Sequence, residues 1–227
     1  KDKELTAKDL KAIETILKKY NQKEGFFGHK VKLQFFAKPY VDDSKKKEIG
    51  TYGFVQNAKS FIAGCVDNSF YGMVDYGFVF ENMVLDLTAS HLSTVWLGGT
   101  FDRKTFDFMQ KENEIVPTIT PVGYEESNQS DKEQSVRSLV DADHREPFET
   151  LFFKDDFSQP LVENHDLASV LELVRFAPSA DNKQPWRVLV RKGKVHFYLH
   201  RSHIYQQNLE FDVQAIDMGI ALSHFIK

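Results

Sequence analysis

Residues 176–190 read FAPSADNKQPWRVLV. Between a helix-compatible run and the strand-like Val188-Leu189-Val190, this stretch places a hydroxyl at Ser179, carboxamides at Asn182 and Gln184, and an indole at Trp186. Small residues at Ser179 and Ala180 let a ligand approach the backbone. Pro178 and Pro185 stiffen the loop, so little ordering entropy remains to be lost. The Asn182 amide carries a donor and an acceptor side by side. With backbone groups around Ser179, it suits a flat ring whose edge alternates donors and acceptors, such as a flavin. The same residues also suit a plain helix-to-strand turn, in which proline stops the helix and asparagine bonds its own backbone.

Little else in the chain offers chemistry. A GxGxxG loop, a P-loop and a GxSxG elbow are all absent. His200 and His203 form an HxxH pair without obvious further ligands and read as a surface pair beside Arg201, not as a metal site. Cys65 sits in an apolar strand candidate and reads as a buried structural thiol. No catalytic acid, base or nucleophile and no metal ligand is assigned. A cofactor would have to carry the reaction.

Composition narrows the classes. The 227 residues are 41% hydrophobic and 27% charged, as in an ordinary globular protein. A net charge of −4 disfavours a nucleic-acid partner, which needs a concentrated basic surface. The single cysteine points to a reducing cytoplasm, and no apolar run approaches the length of a membrane span. The 20 phenylalanines are compatible with a pocket for a flat ligand, although phenylalanine at that level more often just fills a core.

The elements expected to hold the loop are mixed α and β. Leu10, Ile13, Ile16, Leu17 and Tyr20 recur at helical spacing behind a Thr6–Asp9 capping box. Strand candidates follow at 30–37 and 61–66, separated by a polar loop at 42–50, and Phe80, Met83, Val84 and Leu87 mark a second helix. Segments 94–101 and 114–124 are β-rich, and 125–135, with no apolar residue, reads as a solvated loop or linker. A helix at 166–176, strands at 186–190 and 195–199 and a helix from about 212 complete the chain.

Two stretches recur. DLKAIETIL (9–17) matches DLASVLELV (166–174), setting Ile13 against Val170, Ile16 against Leu173 and Leu17 against Val174. VDYGFVFENM (74–83) matches IDMGIALSHF (216–225) through a shared Asp-x-Gly, with Phe80 against Leu222 and Met83 against Phe225. The order suggests two pseudo-equivalent halves, about 1–150 and 151–227, forming one domain; coincidence between amphipathic helices is the alternative. At the first register Ser179 and Asn182 fall on Gln22 and Gly25, so the first half has no copy of the loop.

APSADNKQPW resembles the signature loop of the FMN-dependent nitroreductase superfamily, Pro-Ser-small-x-Asn-x-Gln-Pro-Trp. The Asp-x-Gly helix starts, STVWLGGTF (93–101) and IVPTITPVGY (115–124) are also similar to that superfamily, and the order of the pieces is closest to its single-chain members with two fused halves. The resemblance implies an α+β fold with a mixed central sheet flanked by helices, and FMN bound between the halves. Pro178, Ser179, Ala180 and Asn182 would contact the isoalloxazine, Leu97, Gly98 and Gly99 would offer backbone amides near its N5 and O4 edge, and Arg145 would meet the phosphate. The superfamily's Arg-x-Ser-x-Arg motif is absent and Glu146 replaces a usual basic residue; truncated termini are the expectation. The implied activity passes electrons from NAD(P)H to a nitroaromatic, quinone or similar small acceptor, in a monomer or else a homodimer. The alternatives are a flavin- or ligand-binding homologue without turnover, or an FMN enzyme of other chemistry on the same fold.

Overall fold

Helix α1 (Ala7–Asn21) starts where the capping box places it. Thr6 Oγ1 accepts from the Asp9 amide at 3.2 Å and the Asp9 carboxylate accepts from the Thr6 amide at 2.9 Å, satisfying two donors that a helix start leaves open. Ile13, Ile16, Leu17 and Tyr20 turn inward, and Leu10 stays at the edge. This computed structural model describes residues 3–38, 55, 58–125, 131–162, 165–202 and 209–227. The polar stretch 42–50, residues 126–130 of the expected linker and His203 lie outside the described residues.

Strand β1 (Lys32–Phe36) pairs antiparallel with β2 (Phe61–Asp67), and helix α2 (Phe70–Ala89) follows. The short β3 (Ser93–Thr94), β4 (Glu114–Ile115) and β5 (Ile119–Gly123) complete a five-stranded antiparallel sheet. Six of the seven β2 residues are buried because the sheet has a core on each face. Ile62 and Val66 face the larger core with α1 and α2, while Phe61, Ala63 and Cys65 face a smaller one with Phe101, Phe106 and Val116. Burial pushes the Cys65 thiol up to about 12, as suits an inert core residue.

After α3 (Asp131–Leu139) and the one-turn α4 (Phe148–Leu151), β6 (Phe152–Lys154) lies parallel to β7 (Trp186–Arg191), which pairs antiparallel with β8 (Lys194–Leu199). Helix α5 (Ala168–Arg175) precedes β7 and helix α6 (Val213–Ile226) follows β8. The architecture is α+β, but the single mixed sheet expected is two sheets among the described residues, one antiparallel and one mixed. The paired central helices α2 and α6 are buried along most of their length. The linker expectation also needs correction. Residues 131–135 belong to α3, because straight-chain Lys, Glu and Gln with no glycine or proline favour a helix even where no apolar residue marks it. Among the described residues no helix is long and apolar enough to cross a membrane.

The order α1–β1–β2–α2 recurs as α5–β7–β8–α6. At the crossing of α2 and α6 the contacts are reciprocal. A Cβ on Gly77 would lie 2.1 Å from the Ile216 carbonyl oxygen, and one on Gly219 would lie 1.9 Å from the Val74 carbonyl oxygen. The Asp-x-Gly match thus marks two close backbone approaches. The register drawn between α1 and α5 fares differently: Leu173, set against the buried Ile16, is 53% exposed, and α5 instead buries Leu171 and Val174. Both helices are short and amphipathic, so their patterns match at more than one offset.

Candidate functional site

The signature loop is built mainly by its own side chains. Ser179 Oγ accepts from the Gln184 amide at 2.8 Å, which closes the turn. Gln184 is fully buried; its Oε1 accepts from the Glu146 amide at 3.0 Å and its Nε2 donates to the Asn182 carbonyl at 3.3 Å. Asn182 Nδ2 donates to the carbonyls of Asp141 (2.6 Å) and His144 (2.9 Å), and its Oδ1 accepts from Arg145 at 3.3 Å. Asp181, Asn182 and Gln184 have φ of 43°, 54° and 46°, with Lys183 at −75° between them; Asp and Asn tolerate such left-handed positions, and the bonds of Asn182 and Gln184 hold theirs in place. Trp186 is buried at the start of β7.

These bonds decide what the loop can offer a ligand. The Asn182 amide is committed within the chain, at both its nitrogen and its oxygen. For a flat ring there remain the backbone rim at Pro178 and the small, half-buried Ser179 and Ala180.

Two groups from outside the loop fix its position. The Ala180 amide donates to Asp217 Oδ1 on α6 at 2.9 Å. Asp217 is 2% exposed, and burial pushes its carboxyl up to about 8, against the Ala180 bond and with help from Asp212 and Asp181. Its Oδ2 has no hydrogen-bond partner among the described residues. Asp75 on α2 does the same for Gly25–His29, accepting from the Phe27 amide at 2.8 Å and the His29 amide at 2.9 Å. Gly25 is required there, since a Cβ would lie 2.3 Å from Asp75 Cγ. In the sequence Asp217 stands out only as part of the Asp-x-Gly match. An aspartate in an otherwise apolar helix was the available signal.

Arg145 is the second group. Its guanidinium donates to the carbonyls of Ala142 (2.9 Å) and His144 (2.7 Å) as well as to Asn182. Among the described residues it joins no ion pair, and its Nε is buried without a partner. Burial first, then the nearby Arg175 and Arg137, lowers its pKa against the pull of Asp143. The result is a cation stabilised by neutral carbonyls and receptive to an anion. Glu146, where a basic residue was expected, contributes backbone: its amide meets Gln184 and its carbonyl lies 3.5 Å from Arg175 Nη1.

The glycine segment occupies a different place. Leu97 exchanges two backbone bonds of 3.0 Å with Ile119, so its amide is already used. The Gly98 carbonyl accepts from Arg103 Nη2 at 2.6 Å, and Arg103 also meets the Val116 and Pro117 carbonyls and lies against Phe101 and Phe211. Trp96 Nε1 donates to the buried Glu81 at 2.9 Å, whose other oxygen lies 2.8 Å from His224 Nε2. The segment is therefore pinned on both flanks, and Gly99 is open, with nothing within 4 Å of a Cβ. Among the described residues no hydrogen bond links 97–99 to 178–182. The structure joins Arg145 to Asn182, while Leu97 and Gly98 are held elsewhere, by Ile119 and Arg103. Nor does any group of three His, Cys, Asp or Glu residues suit a metal ion among the described residues, and His200 is exposed.

The family model described as "Putative TM nitroreductase" matches residues 1–227. A solved structure from Thermotoga maritima MSB8, described as a putative nitroreductase, is 22% identical with a TM-score of 0.54, covering 98% of this chain and 74% of that one. A nitroreductase with bound FMN from Bacteroides fragilis NCTC 9343 is 18% identical with a TM-score of 0.42, covering 57% of this chain and 83% of that one. No curated protein matches. The Thermotoga likeness shows the fold to be nitroreductase-like over nearly all of the chain. With signature loop, fold and a family model that runs the length of the sequence in agreement, the chain belongs to the "Putative TM nitroreductase" family.

Proposed function

We propose that the chain is an FMN-dependent oxidoreductase that carries electrons from NAD(P)H to a nitroaromatic, a quinone or a similar small acceptor. When bound, the flavin supplies the redox chemistry, accepting hydride and passing electrons on. The protein's part is to hold and shape. Pro178, Ser179 and Ala180 border the ring through backbone and small side chains, with Asn182 fixing the loop from behind. Gly98, its carbonyl held by Arg103, and the open Gly99 form the other wall, Leu97 sets their place through Ile119, and Arg145 meets the phosphate. No titrating side chain is assigned to the reaction.

The observation that carries this reading is Arg145: an arginine outside any ion pair among the described residues, with a buried unpartnered Nε, tied to the family's signature asparagine. A fixed cation of that kind suits a terminal phosphate. Arg145→Gln is therefore expected to weaken FMN by about 1.5–3 kcal/mol, the worth of bonds to a charged group, and to leave riboflavin, which lacks the phosphate, unchanged. Parallel flavin-quenching titrations decide it; equal losses for both ligands would remove Arg145 from the phosphate site.

The recurring element order and the reciprocal glycine contacts support two pseudo-equivalent halves in one domain. Because the loop clamped by Asp75 is Gly25-Phe26-Phe27-Gly28-His29 and lacks the signature, the proposal is one FMN per chain in a mainly monomeric, cytoplasmic protein. Light scattering with the flavin-to-protein absorbance ratio tests stoichiometry and assembly together. Turnover is tested by adding NAD(P)H to the flavin-loaded protein and following bleaching, then reoxidation by menadione or nitrofurazone. Flavin binding without bleaching would favour the non-catalytic homologue.

A further inference from the structure

Arg103 is half-buried, and its hydrogen bonds all go to neutral backbone. Its Nε donates to the Val116 carbonyl at 3.0 Å, and its Nη2 donates to the carbonyls of Gly98 at 2.6 Å and Pro117 at 2.9 Å. The rings of Phe101 and Phe211 each lie 4.9 Å from its Cζ, within cation–π range. Glu210 adds a favourable charge nearby but forms no ion pair with it among the described residues. The planar fork of an arginine suits such a task, since it reaches several carbonyls at once from a fixed position.

One of those carbonyls belongs to the glycine segment, and the peptide group carries the effect further. A planar trans peptide points its C=O and its N–H in opposite directions. The Gly98 carbonyl is turned to Arg103, so the Gly99 N–H is turned away from it. Gly99 is exposed, a Cβ there would meet nothing within 4 Å, and its N–H has no acceptor among the described residues. The guanidinium also polarises the peptide it grips, because hydrogen-bonded dipoles in a chain strengthen one another. The Gly99 N–H is thereby both aimed and made a better donor. On the other side, the Leu97 carbonyl accepts from the Ile119 amide at 3.0 Å, which fixes the preceding peptide.

We infer that Arg103 is a positioning residue: by holding the Gly98 carbonyl it presents the Gly99 N–H to the O4 carbonyl of the bound flavin. The inference rests on the flavin reading above and adds to it a residue that acts on the cofactor only through a peptide group. Reduction makes the carbonyl edge of a flavin richer in electrons. A donor aimed there favours the reduced form over the oxidised one.

The full chain loaded with FMN is compared with Arg103→Met, which removes every donor, and with Arg103→Lys, which keeps the charge. Two readouts separate positioning from a structural role: the two-electron potential of the bound FMN and the stretching frequency of its C4=O bond. Arg103→Met is expected to raise that frequency. It should also lose about tenfold in preference for reduced over oxidised flavin, a potential lower by about 30 mV. Arg103→Lys should recover part of both shifts. If Arg103→Met does not fold, Gly99→Pro removes the same N–H without touching the guanidinium and should give both shifts. Equal potentials and equal C4=O frequencies in the wild type and the variants would overturn the inference and leave the flavin reading standing. A wild type that binds no FMN would remove both.

Discussion

Gly219→Ala is expected to be among the most damaging single-methyl additions available to this protein. The new Cβ would lie 1.9 Å from the Val74 carbonyl oxygen and 2.6 Å from the Phe78 amide nitrogen, both backbone atoms of a buried helix. No side chain can swing aside, so α2 and α6 must separate and a large part of the core opens with them. Overpacking of this kind costs roughly 3 kcal/mol or more, or about 6–12 °C in melting temperature for a chain of this size. Gly77→Ala, at 2.1 Å from the Ile216 carbonyl oxygen, should behave the same way. Gly123→Ala is the control, since its Cβ meets nothing within 4 Å. Thermal unfolding followed by circular dichroism checks all three; a Gly219→Ala protein as stable as Gly123→Ala would show that the two helices are not in such close contact.

The second large effect is a slope of stability against pH. Asp217 has its carboxyl pushed up to about 8 in the folded chain from an ordinary value of 3.8. Below pH 4 both folded and unfolded chains hold this proton. Between about 4 and 8 only the folded chain keeps it, so stability falls as pH rises through that window and levels off above it. Each unit of difference is worth about 1.4 kcal/mol, which makes the total loss several kcal/mol. Asp217→Asn cannot ionise, and its Oδ1 can still accept from Ala180. The variant should match the wild type near pH 4 and exceed it increasingly towards pH 8. Urea unfolding at several pH values measures this directly, and parallel curves for the two proteins would mean that Asp217 ionises normally. Asp217→Leu, by contrast, removes the Ala180 anchor and should loosen the signature loop at every pH.

What could be read from the sequence was local. The Thr6–Asp9 box spans one helical turn, and its spacing fixes its geometry. The apolar run at 61–66 is buried on both faces, as a continuous apolar strand should be. The Asp-x-Gly match was legible because glycine at a close helix crossing and a buried aspartate are both rare in apolar helices. The unread part was set by distance along the chain. Asn182 finds its partners 38 and 41 residues earlier, at His144 and Asp141, in a stretch whose carbonyls carry no sequence signal. The division into two sheets likewise depends on which strands meet, and the α1–α5 register on which side of α5 meets the core. The first half of α3 has no apolar residue, so hydrophobicity alone cannot tell it from a loop.

The two tryptophans have an optical consequence. Trp186 is fully buried, and its indole nitrogen has no partner among the described residues, whereas Trp96 is half-buried and donates to a carboxylate. An indole in a dry, unbonded setting emits further to the blue than one bonded to a charged acceptor. The chain's intrinsic fluorescence is therefore expected to have two components, Trp186 reporting the join of signature loop and β7, and Trp96 the segment before Leu97 and its bond to Glu81. Single replacements by phenylalanine assign the colours, and each wall of the proposed flavin site can then be watched without an added label.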